Sequence, residues 1–555
     1  MAKRILIVGG VAGGASAAAR LRRLDENAAI VLFERGPDVS FANCGLPYYL
    51  GREIKERGKL LVQTPQKLAA NLNLDVRVRS KVIAILRDKK VIQIRNLETN
   101  VIYEEAYDTL ILAPGAAPII PLIPGIEKPG IFSLRNLVDT DRIHNWVQNQ
   151  QARKAVVVGG GFIGLEMAEQ LKIRGLEVAL IQRSGQVLDP FDPEMITPIH
   201  QELVAKGIDL RLNHQVVRFE DASSKDKALH VVLDDGSSIE ADVVIMGIGV
   251  KPESHLASDA KLEVNARGAI KVNDFLCTSD PCIYAIGDAI EVTDPITGNQ
   301  TQVPLAGPAN RQGRVVADNI AGKPTRYRGT LGTAILRIFD YTTACTGANA
   351  KTLSKAGITF KTVYLHPNSH AGYYPGAHPI SLKVLFSPTD GKILGAQAVG
   401  KDGVDKRIDV IATSIHHGGT MDDLVDYELC YAPPFGSAKD PVNLAGMVIQ
   451  NNINHLVEII HWSEVEARVQ QGAKMLDVRE PKEVEAGMIL GAVNIPLGQL
   501  RDRLTEIDLS SDWIVYCQSG QRSYNACRIL SQHGYKCCNL SGAYKTYSAA
   551  KSISK

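Results

Sequence analysis

Ala155-Val-Val-Val-Gly-Gly-Gly-Phe-Ile-Gly164 sets a short apolar run directly before a glycine-rich turn, and an apolar helical pattern continues to about Arg174. Gly159, Gly161 and Gly164 have the G-x-G-x-x-G spacing. At that spacing, absent side chains let the backbone approach a pyrophosphate, and the helix N-terminus supplies N–H donors and a positive dipole end. Another apolar run, Glu177 to Ile181, follows. The order strand, glycine turn, helix, strand predicts a βαβ dinucleotide-binding unit, and that order makes the glycine spacing specific.

The pattern occurs a first time about 150 residues earlier. Residues 4–9 form a short apolar run rich in Ile and Val; Gly9, Gly10, Gly13 and Gly14 form the turn, an Ala-rich helix is expected over 14–24, and the run Ala29 to Phe33 ends in Glu34. Gly9 and Gly14 fill the first and third glycine positions. Val11 stands at the second, so Gly13 is expected to provide the close backbone approach there. Glu34, with Arg35 beside it, is placed to accept hydrogen bonds from a ribose hydroxyl pair. In the second unit the corresponding strand ends in Gln182 and Arg183. Arg183 suits the 2′-phosphate of NADPH and Gln182 suits the ribose of NADH, so both nicotinamides stay open.

The 555 residues include 62 Lys and Arg against 60 Asp and Glu, a net charge of +2. Such a balance gives no electrostatic drive towards nucleic acid, and small-molecule chemistry is expected. The apolar runs, such as Asp242-Val-Val-Ile-Met-Gly-Ile-Gly-Val250, fall well short of the ~20 residues of a membrane span, so no membrane association is expected. Lys3 and Arg4 before an apolar stretch superficially suggest a secretory leader, but the glycines that follow fit a strand and turn better. The 9 cysteines are odd in number and sparse, with no paired C-x-x-C motifs. Neither a disulfide scaffold nor a metal site is expected, and a reducing cytoplasm is the natural compartment.

Two further stretches join the nucleotide units. Thr278-Ser-Asp-Pro-Cys-Ile-Tyr-Ala-Ile-Gly-Asp288 and Asp108-Thr-Leu-Ile-Leu-Ala-Pro-Gly115, with the two glycine turns, resemble the pyridine nucleotide–disulfide oxidoreductases. The resemblance implies FAD in the first unit and NAD(P)H in the second. It gives Asp288, after Gly287, a place on the flavin ribityl chain, and it gives Ala113 and Gly115 a place in the second FAD signature. The implied organisation is an FAD-binding domain in two parts, 1–150 and 276–325, an NAD(P)-binding domain over 151–275, a dimerisation domain over 326–450 and a separate small α/β domain over 461–555.

Ser40-Phe-Ala-Asn-Cys-Gly-Leu-Pro-Tyr-Tyr49 follows the first βαβ unit as a Gly/Pro loop. Members like glutathione reductase carry a second Cys five positions after the first, but here that position is Tyr49. Cys44 must therefore cycle through a sulfenic acid, a persulfide or a mixed disulfide with an external thiol. More narrowly, the stretch resembles coenzyme A-disulfide reductases and NADH-dependent persulfide reductases. That resemblance implies a homodimer in which two tyrosines of the partner reach the cysteine. Ala371-Gly-Tyr-Tyr-Pro-Gly376 and Tyr431-Ala-Pro-Pro434 make Tyr373 and Tyr431 the candidates. It also implies bound coenzyme A, with Arg20 and Arg23 for its phosphates and Ser40 and Asn43 for its pantetheine end; Asn43 is expected to border the flavin too.

Near the C-terminus, Met475-Leu-Asp-Val-Arg479, Ala492-Val-Asn-Ile-Pro496 and Trp513-Ile-Val-Tyr-Cys517 read as buried strands. Cys517-Gln-Ser-Gly-Gln-Arg522 then forms a loop before a helical pattern, an arrangement that wraps N–H donors around a thiolate. These motifs resemble a rhodanese domain, with Cys517 and Arg522 as its catalytic residues. Gln518 stands where rhodanese loops often carry Arg, which argues against thiosulfate as donor.

The expected fold is α/β: two Rossmann-like domains, an α+β dimerisation domain and a C-terminal rhodanese. The expected activity is flavin-dependent reduction of CoA persulfide, polysulfide or CoA disulfide by NAD(P)H through Cys44, with a fused sulfurtransferase. An NADH oxidase or peroxidase using a Cys44 sulfenic acid and a redox sensor with a docking rhodanese remain as alternatives.

Overall fold

Arg4–Val8 and Lys154–Val158 are the central strands of two five-stranded parallel sheets, and their unbroken apolar runs are what a strand covered on both faces requires. The computed structural model describes residues 3–222 and 228–553, in two units.

Unit 1 takes in residues up to 184 together with 207–330. Its first sheet runs Ile283–Ala285, Thr109–Leu112, Arg4–Val8, Ala29–Phe33, Asp75–Arg77. The second runs Ile208–Leu212, Glu177–Gln182, Lys154–Val158, Val243–Met246, Ile131–Ser133. In each, strand order reverses beside the central strand, which opens a crevice at the carboxyl ends where such sheets bind ligands. The backbone is tight there. Gly9 has φ +100°, and a Cβ on it would lie 2.0 Å from the Ala113 carbonyl oxygen; Gly159 has φ +107°, and its Cβ would meet the Gly247 oxygen at 2.4 Å. Both turns therefore require glycine for the same reason. Two antiparallel meanders complete the unit, one over Ser80–Ala106 and one over Val216–Ala241.

Unit 2 takes in residues 185–206 and 331 onwards. An antiparallel sheet in the order Ala334–Ile338, Tyr341–Gly347, Ile393–Gly400, Ser381–Phe386, Lys361–Leu365 carries the helix Val404–His416. The C-terminal domain has its own parallel sheet, Glu458–Ile460, Lys536–Leu540, Asp512–Tyr516, Lys474–Asp477, Ala492–Asn494, and its own apolar core around Leu476, Val515 and Leu530. The sequence reading set this domain apart; the structure docks it. The Tyr364 N–H donates to Ser541 Oγ at 3.0 Å, Thr197 Oγ1 donates to the Ala549 carbonyl at 3.0 Å, and His366 Nε2 lies 2.9 Å from Thr546 Oγ1. Among the described residues, no helix is long and apolar enough to cross a membrane.

A buried ionic cluster secures this unit. Lys383 Nζ lies 2.6 Å from both Asp192 Oδ2 and Glu194 Oε1, at side chains 3 %, 6 % and 4 % exposed. The Tyr364 hydroxyl donates to Glu194 Oε1 at 2.7 Å, and Gln397 Nε2 donates to Asp192 Oδ2 at 2.7 Å. Burial opposes the Lys383 charge, but Tyr364, Glu194 and Asp192 outweigh it and raise the ammonium pKa.

Two histidines here are held neutral by desolvation, His366 down to about 3, with Lys545 adding to the effect, and His200 down to about 4, from an ordinary 6.5. His200 Nε2 accepts the Val187 N–H, a role that only the unprotonated ring can fill. The folded state thus binds fewer protons than the unfolded chain. Stability is fully present above about pH 6.5 and falls as pH drops towards about 4 and then about 3, by at most about 1.4 kcal/mol per pH unit for each ring. Urea midpoints measured across that range should fall with acid. Replacing His366 with Gln should flatten the slope.

Candidate active sites

The first glycine turn has the features a flavin dinucleotide needs. Glu34, at the end of Ala29–Phe33, accepts the Gly10 N–H at 3.0 Å and the Gly36 N–H at 2.7 Å, which fixes a carboxylate beside the turn. A Cβ on Gly14 would fall 1.9 Å from the Gly9 oxygen, so only glycine lets the helix Ala12–Leu24 pack this close. Gly13 also serves the packing of the fold. Its missing side chain admits the helix Ala306–Ile320, since a Cβ would meet Ile286 Cδ1 at 3.1 Å and the Ala309 oxygen at 3.3 Å. Asp288 sits in the turn Gly287–Ala289, and burial raises its carboxyl pKa while Arg135 opposes the rise. Gly287 has φ +79° and donates its N–H to Gln312 Oε1 at 2.7 Å. Ala113 and Gly115 (φ +74°) border the same strand ends. A cradle that excludes side chains, flanked by one carboxylate at a strand end and a buried one opposite, fits FAD.

The second turn repeats the geometry without the charge. Gln182 Oε1 accepts the Gly160 N–H at 2.8 Å, the counterpart of the Glu34 bond, and its amide donates to Ser184 Oγ at 2.6 Å. Gly161 faces open space, a Cβ on Gly164 would lie 1.8 Å from the Gly159 oxygen, and Arg183 is exposed. Arg35 forms a two-point pair with Glu253 at 2.9 and 2.7 Å, which also holds Arg135 at 2.7 Å.

Cys44 lies in a helical turn, Asn43–Gly45, that leads into the helix Leu46–Leu50, so the expected loop is helical. Cys44 is exposed as a residue, yet the walls around its sulfur exclude enough water to raise the thiol pKa, and Glu166 and Asp288 raise it further. Tyr49, at the position of a second cysteine, stacks on His144 with ring centroids 5.3 Å apart. Ser40 takes a left-handed backbone conformation (φ 47°) and donates its N–H to the Gly10 oxygen at 2.8 Å, which ties the Cys44 segment to the first glycine turn. Of the two arginines assigned to coenzyme A, Arg20 is paired with Asp318 at 2.7 Å, and Arg23 is exposed.

Sequence reasoning missed Glu166. It stands on Phe162–Ile173, the helix after the second glycine turn, and accepts the Tyr48 hydroxyl at 3.3 Å. Burial, opposed by that hydrogen bond and aided by Glu169, pushes its carboxyl up to about 7. The signal was available: Glu166 and Glu169 are acidic residues on a helix that is otherwise mostly apolar. Near neutral pH this group exchanges a proton, and its charge opposes the Cys44 thiolate. Glu166→Gln should therefore lower the Cys44 pKa, read as a shift of the pH profile of iodoacetamide alkylation towards acid; an unmoved profile would separate the two groups.

In unit 2 the hydroxyls of Tyr373 and Tyr431 meet at 3.1 Å, and both side chains are exposed, at 76 % and 49 %. The hydrogen bond with Tyr431 raises the Tyr373 phenol pKa.

Cys517 follows the strand Asp512–Tyr516 and is fully buried. Its sulfur accepts the Gly520 N–H at 3.1 Å and lies 3.4 Å from Ser523 Oγ, while Gly520 turns the loop at φ +107° into the helix Gln521–Gln532. Sequence reasoning placed Arg522 at the loop but missed its partner, Glu483.

The pyridine nucleotide-disulphide oxidoreductase model matches residues 3–313, its dimerisation domain matches 333–441, and a rhodanese-like domain matches 461–550. A coenzyme A disulfide reductase of Staphylococcus haemolyticus is 40 % identical over 446 residues, 80 % of this chain and 98 % of that protein. Among solved structures, the reduced CoADR-RHD of Bacillus anthracis is 50 % identical with TM-score 0.97, over 99 % of this chain and 98 % of that one. An NAD-dependent persulfide reductase from A. fulgidus is 36 % identical with TM-score 0.90, over 98 % and 100 %.

Proposed function

Because the chain belongs to the pyridine nucleotide-disulphide oxidoreductases, we propose that it reduces CoA disulfide and CoA persulfide with NAD(P)H and carries its own rhodanese sulfurtransferase. The single observation that carries this reading is Cys44 beside the FAD cradle, with Tyr49 packed on His144 where a partner cysteine would stand. A lone thiol has to take its second sulfur from the substrate.

The cofactors are FAD, NAD(P)H and coenzyme A. Gly9, Gly14, Glu34 and Asp288 hold FAD, and Gly159, Gly161, Gly164 and Gln182 hold the nicotinamide dinucleotide. FAD, when bound, supplies the two-electron relay between the nicotinamide and the sulfur chemistry. The Cys44 thiolate attacks the CoA-bound sulfur; the Cys44–S–S–CoA bond forms, the substrate S–S bond breaks, and CoA thiolate or hydrosulfide leaves. Glu166, poised near 7, holds a proton next to this thiolate. In a homodimer built through the dimerisation domain, the Tyr373 and Tyr431 hydroxyls protonate the leaving sulfur. The 9 cysteines, odd in number and sparse, favour a reducing, cytoplasmic setting.

Steady-state rates with NADH and NADPH against CoA persulfide, CoA disulfide, polysulfide and peroxide test the reading. Turnover that favours the CoA substrates is expected; faster peroxide turnover would replace the reading with a peroxidase. Cys517→Ala should remove sulfur transfer to cyanide by about 10³-fold or more while sparing reduction of free CoA persulfide. Loss of both activities would mean one obligatory relay through Cys517.

A further inference from the structure

Two guanidiniums border the Cys517 loop, and each is matched by a carboxylate. Arg479 is buried and donates to Asp477 from Nε and Nη2 at 3.0 and 2.7 Å, while its Nη1 lies 3.3 Å from Gln518 Oε1. Arg522, which closes the loop, donates from Nη1 and Nη2 to the two oxygens of Glu483, both at 2.6 Å. Parallel pairing of a guanidinium with a carboxylate is among the strongest charge-assisted contacts. A third cation, Lys545, donates its backbone N–H to the Gln518 backbone carbonyl at 3.1 Å, and burial disfavours its ammonium form. At the sulfur itself stand two neutral donors, the Gly520 N–H and the Ser523 hydroxyl, and Arg522 bears on it as well while it is held by Glu483.

We propose that Glu483 sets the donor specificity of this site: by holding Arg522 in a two-point ion pair it offsets the positive charge at the loop, so that Cys517 takes sulfane sulfur from a thiol persulfide and discriminates against thiosulfate. The inference rests on the sulfurtransferase reading of Cys517. Thiosulfate brings two negative charges and needs an unpaired cation to offset its desolvation, whereas a persulfide, R–S–SH, brings at most one to the reacting sulfurs. In the transfer, the Cys517 thiolate attacks the outer sulfur of R–S–SH. The R–S–S bond breaks, a Cys517–S bond forms, and the departing thiolate takes the proton of the transferred sulfur, leaving Cys517 persulfide anion and R–SH with no net oxidation. Glu483 also accepts the Glu480 N–H at 3.0 Å as a helix cap, a bond that Gln can keep.

The test uses the full-length FAD-bound protein and measures thiocyanate formed from cyanide, with thiosulfate or glutathione persulfide as donor. Wild type should favour the persulfide. Glu483→Gln, and Glu483→Ala as a second variant, should raise kcat/KM for thiosulfate relative to persulfide by about tenfold, mostly through KM, as Arg522 becomes free to bind the dianion. An unchanged donor ratio in both variants, or a wild type that uses thiosulfate as readily as persulfide, would overturn the proposal. A wild type that transfers sulfur from neither donor would instead overturn the sulfurtransferase reading, and this inference with it.

Discussion

Cys44→Ser is expected to abolish NAD(P)H-dependent reduction of CoA persulfide and CoA disulfide, by about 10³-fold or more, while the protein stays yellow with bound FAD. The magnitude follows from removing a nucleophile that has no substitute, because Tyr49 and not a second cysteine occupies the neighbouring position. A serine hydroxyl is too weak a nucleophile to open the S–S bond. Retention of FAD is expected because Gly9, Glu34 and Asp288, the residues proposed above to hold it, stand on elements other than the Asn43–Leu50 turn, and Asn43 within that turn is left unchanged. Visible flavin absorbance and steady-state rates on the same sample separate the two effects. A variant that still turned over would require another thiol to act, and the reading of Cys44 would fail.

Lys383→Met is expected to destabilise unit 2 by about 3–5 kcal/mol, a large fraction of the stability of most domains. The loss would come from what stays behind, since Asp192 and Glu194 would keep two buried carboxylates without their shared cation. Urea unfolding followed by tryptophan fluorescence reads this directly, because Trp513 lies in the core of the C-terminal domain. The triple exchange Lys383→Met, Asp192→Asn, Glu194→Gln should recover much of the loss, as a neutral cluster avoids the desolvation cost. Equal instability of the single and triple variants would show that packing, and not charge, dominates the site.

Both nucleotide folds were legible because their signal is local: an apolar strand, glycines at fixed spacing and a helix all lie within about thirty residues. The exclusion of side chains at Gly9 and Gly159 is set by a carbonyl from a neighbouring strand, yet the glycine itself announces it. The packing role of Gly13 was hidden for the opposite reason. The glycine was visible, but the helix it admits comes from about three hundred residues away, at Ala306–Ile320. Cys44 and Cys517 stand out from motif context. Of the groups that bear on them, Glu166 shows in the sequence only as an acid on a mostly apolar helix, and the pairing partners of neither cysteine were legible. Glu166 bears on Cys44 from 122 positions away and Glu483 reaches Arg522 from 39, and no periodicity encodes such pairings. The rhodanese motifs pointed to a small domain with its own sheet and core, but nothing in them reveals that Ser541 and Thr546 bond to the dimerisation sheet.

The helix Pro193–Ala205 falls in the chain between two adjacent strands of the second nucleotide sheet, Glu177–Gln182 and Ile208–Leu212, yet it belongs to unit 2 and brings Glu194, with Asp192 just before it, to Lys383. A rhodanese that reads in sequence as a simple appendage is thus stitched into a module whose foundation is laid more than two hundred residues upstream. A fragment begun at residue 331 lacks both acids that neutralise its buried lysine, Lys383. Moving the dimerisation sheet into another reductase would require the upstream helix to travel with it.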